Sequence, residues 1–201
     1  MKITKIEVQK KNKSRVNLYL DGEFNCGLSL ETIVKNGIKE GREITDEQLE
    51  FLKIEGEKEV ALSKAIKYIS KFQKTETELK TYLKKKEFCD DIIEYVLDKL
   101  KIYGFVDDKI FAQNYIKAKT INQGKRKLAY NLRKKGLKDD LIDSVLDNFC
   151  QDENQIEKVA TKYLQNKPRD IKTKQRAYRY LASRGYESSN IISCLNNFFD
   201  E

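Results

Sequence analysis

The side chains best suited to chemistry in this sequence are cations that recur in short clusters. Lysine and arginine bind phosphates and carboxylates, so clusters of them indicate a surface for a polyanion or for an acidic protein groove. The clustered residues are Lys84, Lys85, Lys86, Lys125, Arg126, Lys127, Arg133, Lys134, Lys135, Lys172, Lys174, Arg176, Arg179 and Arg184. We predict that they form the binding surface of the protein.

The net charge of +8 is distributed unevenly along the chain. Residues 1–56 hold ten basic and ten acidic side chains, whereas residues 57–201 hold thirty basic and twenty-two acidic ones. Nine basic residues and no acid lie between Lys117 and Lys138, and five aspartates and no base follow from Asp139 to Asp152. Between Lys162 and Arg184 there are eight basic residues and one aspartate.

Two interpretations of this charge pattern stay open. Acids in the first turn of a helix and bases in the last turn complement the helix dipole, which accounts for Asp90–Asp91 and Asp139–Asp140. The segment "QGKRKLAYNLRKK" (123–135) is basic throughout, including the start of a predicted helix. Helix electrostatics do not explain that segment, which favours a binding surface.

The composition argues against catalysis. The chain has no histidine, and it contains no Gly-rich phosphate loop, GxSxG motif or metal-ligand cluster. Its cysteines, Cys26, Cys89, Cys150 and Cys194, are scattered without a CxxC pair, so we expect buried or half-buried thiols rather than disulfides. No apolar run is long enough to span a membrane and the N-terminus lacks a signal-peptide core, so the expected compartment is the cytoplasm.

One segment of the sequence is repeated, so that three similar copies occur at a spacing of 49 residues. The copies are "LKKKEFCDDIIEYVLDKL" (83–100), "LRKKGLKDDLIDSVLDNF" (132–149) and "LASRGYESSNIISCLNNF" (181–198). Their apolar positions predict two amphipathic helices separated by a turn. The aligned apolar sets are Leu79, Leu128 and Ala177; Leu83, Leu132 and Leu181; Phe88, Leu137 and Tyr186; Leu97, Leu146 and Leu195; and Leu100, Phe149 and Phe198.

A further helix with an Ala-x-x-Tyr-aliphatic signature precedes each pair. Its tyrosines are Tyr68, Tyr115 and Tyr163, which we interpret as core residues with the hydroxyl at the rim. Gly136 and Gly185 take the left-handed position after the second helix, whereas Glu87 fills that position in the first copy and is expected to be strained or differently capped.

The pattern of the first 56 residues predicts a small sheet with short helices. "KITKIEVQ" and "RVNLYL" alternate apolar and polar residues, and "DGEFNCGL" continues after an Asp-Gly turn, which predicts a three-stranded antiparallel meander. Ile6 and Val8 would line one face, as would Val16, Leu18 and Leu20. Two short helices are expected in "SLETIVKNG" and "TDEQLEFLKIEG", capped by Ser29 and Thr45.

The predicted fold is therefore mainly α. Three tandem three-helix repeats, at 57–106, 107–152 and 153–201, form an elongated array, and a small N-terminal antiparallel β-meander with short helices (1–56) precedes them. Pro168 lies in a linker candidate. Because a helix is about 10–12 Å across, three units in a row would reach about 60–75 Å.

The repeats resemble the RecX family of RecA regulators. The similar segments are "TETELKTYLKKKEF" (75–88), "GFVDDKIFAQNYI" (104–116), "GKRKLAYNLRKKGL" (124–137) and "QRAYRYLASRGYESSNI" (175–191). The resemblance covers about residues 57–200, and the N-terminal strands resemble an extension that some members carry. Glu87 in place of glycine, and Ser188–Ser189 in place of acids, depart from the family pattern.

The resemblance implies that the elongated array of three-helix units is curved. It also implies a monomeric, non-catalytic protein without a cofactor that binds the RecA filament on single-stranded DNA. It would lodge in the filament groove, bridge protomers and modulate RecA ATPase, strand exchange and co-protease activity, usually by inhibition. The residues alone leave two alternatives: a basic helical protein that binds nucleic acid without RecA, and a helical scaffold for some other protein.

Overall fold

The N-terminal region forms the predicted three-stranded antiparallel sheet. In the computed structural model, which describes residues 1–147 and 153–199, the strands are β1 (Ile3–Val8), β2 (Arg15–Leu20) and β3 (Glu23–Ser29), in the order β1-β2-β3. Asp21 and Gly22 both have positive φ, of 49° and 93°, as a two-residue hairpin turn requires.

One face of the sheet forms the core of this region. Val16, Leu18 and Leu20 are buried. Val8 pairs with Val16 at the end of β1 and so lies on the predicted apolar face, but its side chain is 50% exposed. Ile3, at the other end of β1, is fully buried instead.

The two helices after the sheet begin where their capping residues predict. Ser29 accepts a hydrogen bond from Thr32 N–H at the start of α1 (Leu30–Lys35), and Thr45 forms a capping box at the start of α2 (Asp46–Ile69). The prediction that the second helix is short was wrong, because α2 has 24 residues and continues through Gly56. The predicted boundary at 56/57 therefore falls inside a continuous helix.

Gly56 marks close packing rather than a helix end. A Cβ at this position would lie 3.0 Å from Leu28 Cδ2 and 3.3 Å from Gly27 O, both on β3. The missing side chain thus lets α2 lie directly against the sheet.

The described residues after α2 are mainly helical, and their helices follow the 49-residue spacing. The helices are α3 (Glu76–Lys84), α4 (Asp90–Ile102), α5 (Asp108–Lys119), α6 (Lys125–Lys134), α7 (Asp139–Asp147), α8 (Glu153–Leu164), α9 (Ile171–Ser183) and α10 (Ser188–Phe199), with a short 3-10 turn at Thr120–Asn122. Pro168 lies between α8 and α9. We call α3, α6 and α9 the second helices, and α4, α7 and α10 the third helices, of their repeats.

Equivalent apolar positions are buried in each repeat. Leu79, Leu128 and Ala177 are fully buried, as are Leu83, Leu132 and Leu181. Phe88 is only half-buried, whereas its counterparts Leu137 and Tyr186 are buried. The aligned Phe149, with Cys150 and Asp152, lies outside the described residues.

The chain divides into two compact units. One comprises Met1–Phe72 and Leu79–Phe105, and the other comprises Gln73–Glu78 and Val106–Glu201. In the first unit α2 contacts both β3 and α4, and in the second α5 contacts α6 and α7 while α8, α9 and α10 contact one another.

The three second helices end with the same turn. Glu87, Gly136 and Gly185 have φ of 65°, 85° and 84°, so the left-handed position predicted from the repeat is confirmed in all three copies. In each copy the next residue donates its N–H to a carbonyl of the preceding helix, as from Leu137 to Leu132.

The second unit repeats one contact between helix termini. Thr75 and Thr77 donate their hydroxyls to the carbonyls of Lys135 (2.7 Å) and Gly136 (3.0 Å). Forty-nine residues on, Gly124 N–H and Arg126 N–H donate to the carbonyls of Arg184 (2.9 Å) and Gly185 (3.2 Å). The start of one second helix thus satisfies the last carbonyls of the next.

The tyrosine and cysteine predictions are largely confirmed. Tyr68, Tyr115 and Tyr163 are half-buried, beside fully buried alanines of the same signature. Among the described cysteines Cys194 is buried and Cys26 half-buried, and burial raises the pKa of both thiols. Cys89 is exposed, so the prediction of a buried thiol was wrong there.

Within the described residues, no helix is both long and apolar enough to cross a bilayer. The same part of the chain holds no cluster of His, Cys, Asp and Glu side chains suited to a metal ion.

Candidate functional site

The predicted binding residues lie on the three second helices and the turns that follow them. On α3 and its turn these are Lys84, Lys85 and Lys86; on α6 and its C-cap they are Lys125, Arg126, Lys127, Arg133, Lys134 and Lys135. On α9 and its C-cap they are Lys172, Lys174, Arg176, Arg179 and Arg184. The structure therefore gathers fourteen cations onto equivalent elements.

Some of these cations form ion pairs with the third helix of their own repeat. Lys84 Nζ lies 2.9 Å from Asp90 Oδ1, and Arg133 Nε pairs with Asp139 at the equivalent position of the next repeat. Lys125 Nζ lies 3.4 Å from Asp147 Oδ1. Asp90 and Asp139 lie in the first turns of α4 and α7, as the helix-electrostatic interpretation expects. The hydrogen bond from Lys84 holds the pKa of Asp90 below its ordinary value.

Lys135 is held inside the second unit. Its Nζ lies 2.9 Å from Glu78 Oε1 and 5.3 Å from the centre of the Phe111 ring. Partial burial opposes ionisation of Glu78, but hydrogen bonds from Lys135 and from Thr75 N–H outweigh it, so the pKa of Glu78 lies below its ordinary value. Lys135 therefore stabilises the fold, and the other cations are the better candidates for binding.

The residues equivalent to Lys135 also lie over aromatic rings. Lys86 Nζ is 5.8 Å from the centre of the Tyr82 ring, and the Arg184 guanidinium is 5.1 Å from that of Tyr180. Arg184 Nη2 also donates a hydrogen bond of 3.1 Å to the Tyr180 hydroxyl. A cation at the end of each second helix thus covers an aromatic side chain close to the helix carbonyls, where the dipole favours positive charge.

An exposed cationic face lies on α6. Arg126 and Arg133 are seven residues apart and exposed, with Tyr130, 56% exposed, between them on the same face. Lys127 Nζ lies 5.3 Å from the centre of the Tyr130 ring, and Lys134 is exposed at the next position. This α6 face combines strong positive charge with an aromatic ring, as surfaces for nucleic acid do.

A second candidate surface is a groove between α9 and α10. The groove has a volume of about 330 Å³. It is lined by Lys174, Gln175, Tyr178, Arg179, Ile192, Leu195 and Asn196. Sequence reasoning had identified the two cations but missed the other five residues, because the groove is lined by two helices whose relative position is specified only by the fold.

Comparisons with known proteins agree with the three repeats. Four family models match: the regulatory protein RecX N-terminal domain at 1–45, and the first, second and third RecX three-helix domains at 61–100, 107–146 and 151–195. A regulatory protein RecX of Clostridium acetobutylicum is 40% identical over 99% of this chain and 97% of its own length. The chain belongs to the RecX family.

Further RecX proteins extend the match to structure. A regulatory protein RecX of Clostridium beijerinckii is 36% identical, over 93% of this chain and 91% of its own length. A crystal structure of regulatory protein RecX superposes with a TM-score of 0.75 at 26% identity, covering 98% of both chains. The RecX N-terminal domain also confirms that the N-terminal strands belong to the family pattern.

Proposed function

We propose that this RecX-family chain binds the RecA filament on single-stranded DNA and modulates, by inhibition, the ATPase, strand-exchange and co-protease activities of RecA. The observation that carries the proposal is the recurrence of exposed cations on equivalent helices of a RecX chain. A filament of RecA on DNA is a repeating polymer with a polyanion inside it, and a repeating cationic surface is complementary to both features.

Several contacts on one chain would reinforce each other. Once one second helix is bound, the others meet their sites at high effective concentration, so weak individual contacts add up to stable binding. The proposed mode is therefore occupancy of the filament groove with contacts to more than one protomer. We further propose that the chain acts as a monomer in the cytoplasm, where the filament assembles.

The α6 face offers a direct test of the proposed function. Arg126 and Lys134 are exposed, and the ion pairs described within residues 1–147 and 153–199 include neither. We expect Arg126→Glu/Lys134→Glu to weaken binding to preformed filaments by at least about tenfold, because each reversal replaces attraction by repulsion. The melting temperature should change little, since exposed substitutions away from special contacts usually alter stability by less than about 0.5 kcal/mol.

The matched control places the same charge change outside the proposed surface. Lys67 and Lys71, at and beyond the end of α2, are exposed, and Lys67→Glu/Lys71→Glu should leave filament binding close to that of the unchanged protein. Equal losses in both variants would show a response to net charge alone. A parallel loss of binding and melting temperature in the α6 variant would show that the cluster is structural.

The second candidate function is nucleic-acid binding without RecA, which the groove between α9 and α10 favours. Affinity for single-stranded DNA alone would then fall steeply with salt, with a slope of about −0.7 for each phosphate contacted. Saturation per nucleotide indicates this function, whereas saturation per RecA protomer indicates the filament.

A further inference from the structure

The third repeat has lost the acids that the first two repeats carry on their third helices. In α4 and α7 the same four positions are acidic: Asp90, Asp91, Glu94 and Asp98 in the first, and Asp139, Asp140, Asp143 and Asp147 in the second. In α10 these positions hold Ser188, Ser189, Ile192 and Asn196. Between residues 171 and 199 the sequence has one acid, Glu187.

The loss of these acids changes the surface between the second and third helices of the third repeat, α9 and α10. In the second repeat Lys125 faces Asp147 across the equivalent surface, at 3.4 Å. The equivalent residues of the third repeat are Lys174 and Asn196, so an amide stands where the second repeat has a carboxylate. The helix α10 therefore contributes no carboxylate side chain to this surface.

The groove at this place offers three kinds of contact. Tyr178, Ile192 and Leu195 provide apolar surface, and Ile192 is 51% exposed. Gln175 and Asn196 provide amide groups, which both donate and accept hydrogen bonds. The hydroxyl of Tyr178 donates a hydrogen bond of 3.0 Å to Ser188 Oγ, so one of the replacing residues holds the ring of Tyr178 in place.

A line of cations runs beside the groove along α9. Lys172, Arg176 and Arg179 are spaced by four and three residues, which places them on one face of the helix, and all three are exposed. Arg179 belongs both to this line and to the groove lining. The three cations can therefore bind an anionic backbone, while the groove binds a side group attached to that backbone.

We propose that the groove between α9 and α10 binds a base of single-stranded nucleic acid, with the flanking phosphates on Lys172, Arg176 and Arg179. A single strand alternates anionic phosphates with flat, largely apolar bases whose edges carry hydrogen-bonding groups, and the third repeat presents a complementary contact to each. In a duplex the bases are stacked and paired, so they cannot enter the groove. The inference refines the proposed function, on which it rests for the relevance of single-stranded DNA.

The substitution Ile192→Asp tests the groove by restoring the acid found in the first two repeats. The full chain is titrated, without RecA, with oligodeoxythymidine and with the same oligomer made entirely of abasic sites. For the unchanged protein we expect at least about fivefold tighter binding of oligodeoxythymidine, because stacking contributes about 1–3 kcal/mol per base. In Ile192→Asp this ratio should fall to about one.

The control Ile54→Asp makes the same change at an α2 position that is 41% exposed and lies outside the repeats' second and third helices. It should keep the fivefold ratio, and thermal unfolding should show that both variants are folded. A ratio near one in the unchanged protein, or one that survives Ile192→Asp, would overturn the proposal.

The other possible occupant of the groove is a protein segment. An acidic peptide with an aromatic side chain tests for it. If a Glu-rich peptide containing phenylalanine binds, and Ile192→Asp abolishes that binding while leaving the preference for oligodeoxythymidine intact, the groove is a protein site and the proposal is wrong. None of these titrations contains RecA, so their outcome does not decide the test on preformed filaments. The groove proposal and the proposed function can therefore fail separately.

Discussion

At the residue scale, the left-handed turn after each second helix shows how two constraints act on one position. Gly136 and Gly185 need a positive φ and also lie against another chain segment, since a Cβ on Gly136 would overlap Thr77 and one on Gly185 would overlap Lys127. Glu87 has the same positive φ, and its larger side chain extends into solvent. The first copy can therefore carry a larger residue, at the cost of backbone strain.

Substitutions at two of these positions should have opposite effects. We expect Gly185→Ala to lower the free energy of unfolding by at least about 2 kcal/mol, because backbone strain of about 1–2 kcal/mol adds to the overlap with Lys127. Glu87→Gly should raise it by about 0.5–1 kcal/mol, because glycine relieves the strain. Urea unfolding of both variants measures these changes, and equal destabilisation would contradict the account.

The Glu78–Lys135 pair makes stability depend on pH. Since the pKa of Glu78 in the folded protein lies below its ordinary value of 4.5, its contribution is present above that value and is lost as the pH falls through the folded pKa. We expect Glu78→Gln to lower the free energy of unfolding by about 1 kcal/mol at neutral pH. Chemical unfolding at several pH values should show the difference disappearing in acid, and a constant difference would contradict the assignment.

The sequence predicts some residue environments and not others. The positive φ at Glu87 follows from alignment of the three copies, because equivalent positions of a repeat share backbone geometry. The pairing of Lys135 with Glu78 was not predictable in this way, since 57 residues separate the partners and tertiary packing brings them together. Lys135 thus looked like a binding residue in the sequence.

At the element scale, capping residues predicted where α1 and α2 begin, but the sequence did not predict where α2 ends. Ser29 and Thr45 mark the starts of α1 and α2, because a side-chain oxygen must satisfy the first free N–H groups. Gly56 suggested a helix end but lies within α2, where close packing on β3 offsets the low helix propensity of glycine. The presence of a glycine in the sequence does not by itself distinguish a helix end from close packing inside a helix.

The candidate site was likewise predicted in part at this scale. The cationic second helices could be read directly from the sequence, because charge clusters need no tertiary information. The groove between α9 and α10 could not, because its floor comes from residues on two helices whose relative position only the fold specifies. The loss of four acids in the third copy was visible in the sequence. Its effect on the surface follows only from the structure, where the Lys125–Asp147 contact shows what one of these acids does in the second copy.

At the scale of the whole molecule, three copies of one helical unit carry different charge patterns on the same framework. The first copy has acids on both of its last two helices, the second separates bases on α6 from acids on α7, and the third keeps its bases with a single acid between residues 171 and 199. Repetition preserves the core, while the exposed positions differ between copies. We expect the three units to contribute unequally to binding, with the second and third dominant.

The central claim is that this RecX-family chain acts on the RecA filament, and titration of preformed filaments tests it most directly. The unchanged protein is added to RecA assembled on single-stranded DNA, and co-sedimentation and ATP hydrolysis are followed together. The account predicts that the chain sediments with the filament and that ATP hydrolysis falls as it binds. Separate sedimentation of chain and filament, with ATP hydrolysis unchanged at saturating concentrations, would contradict it.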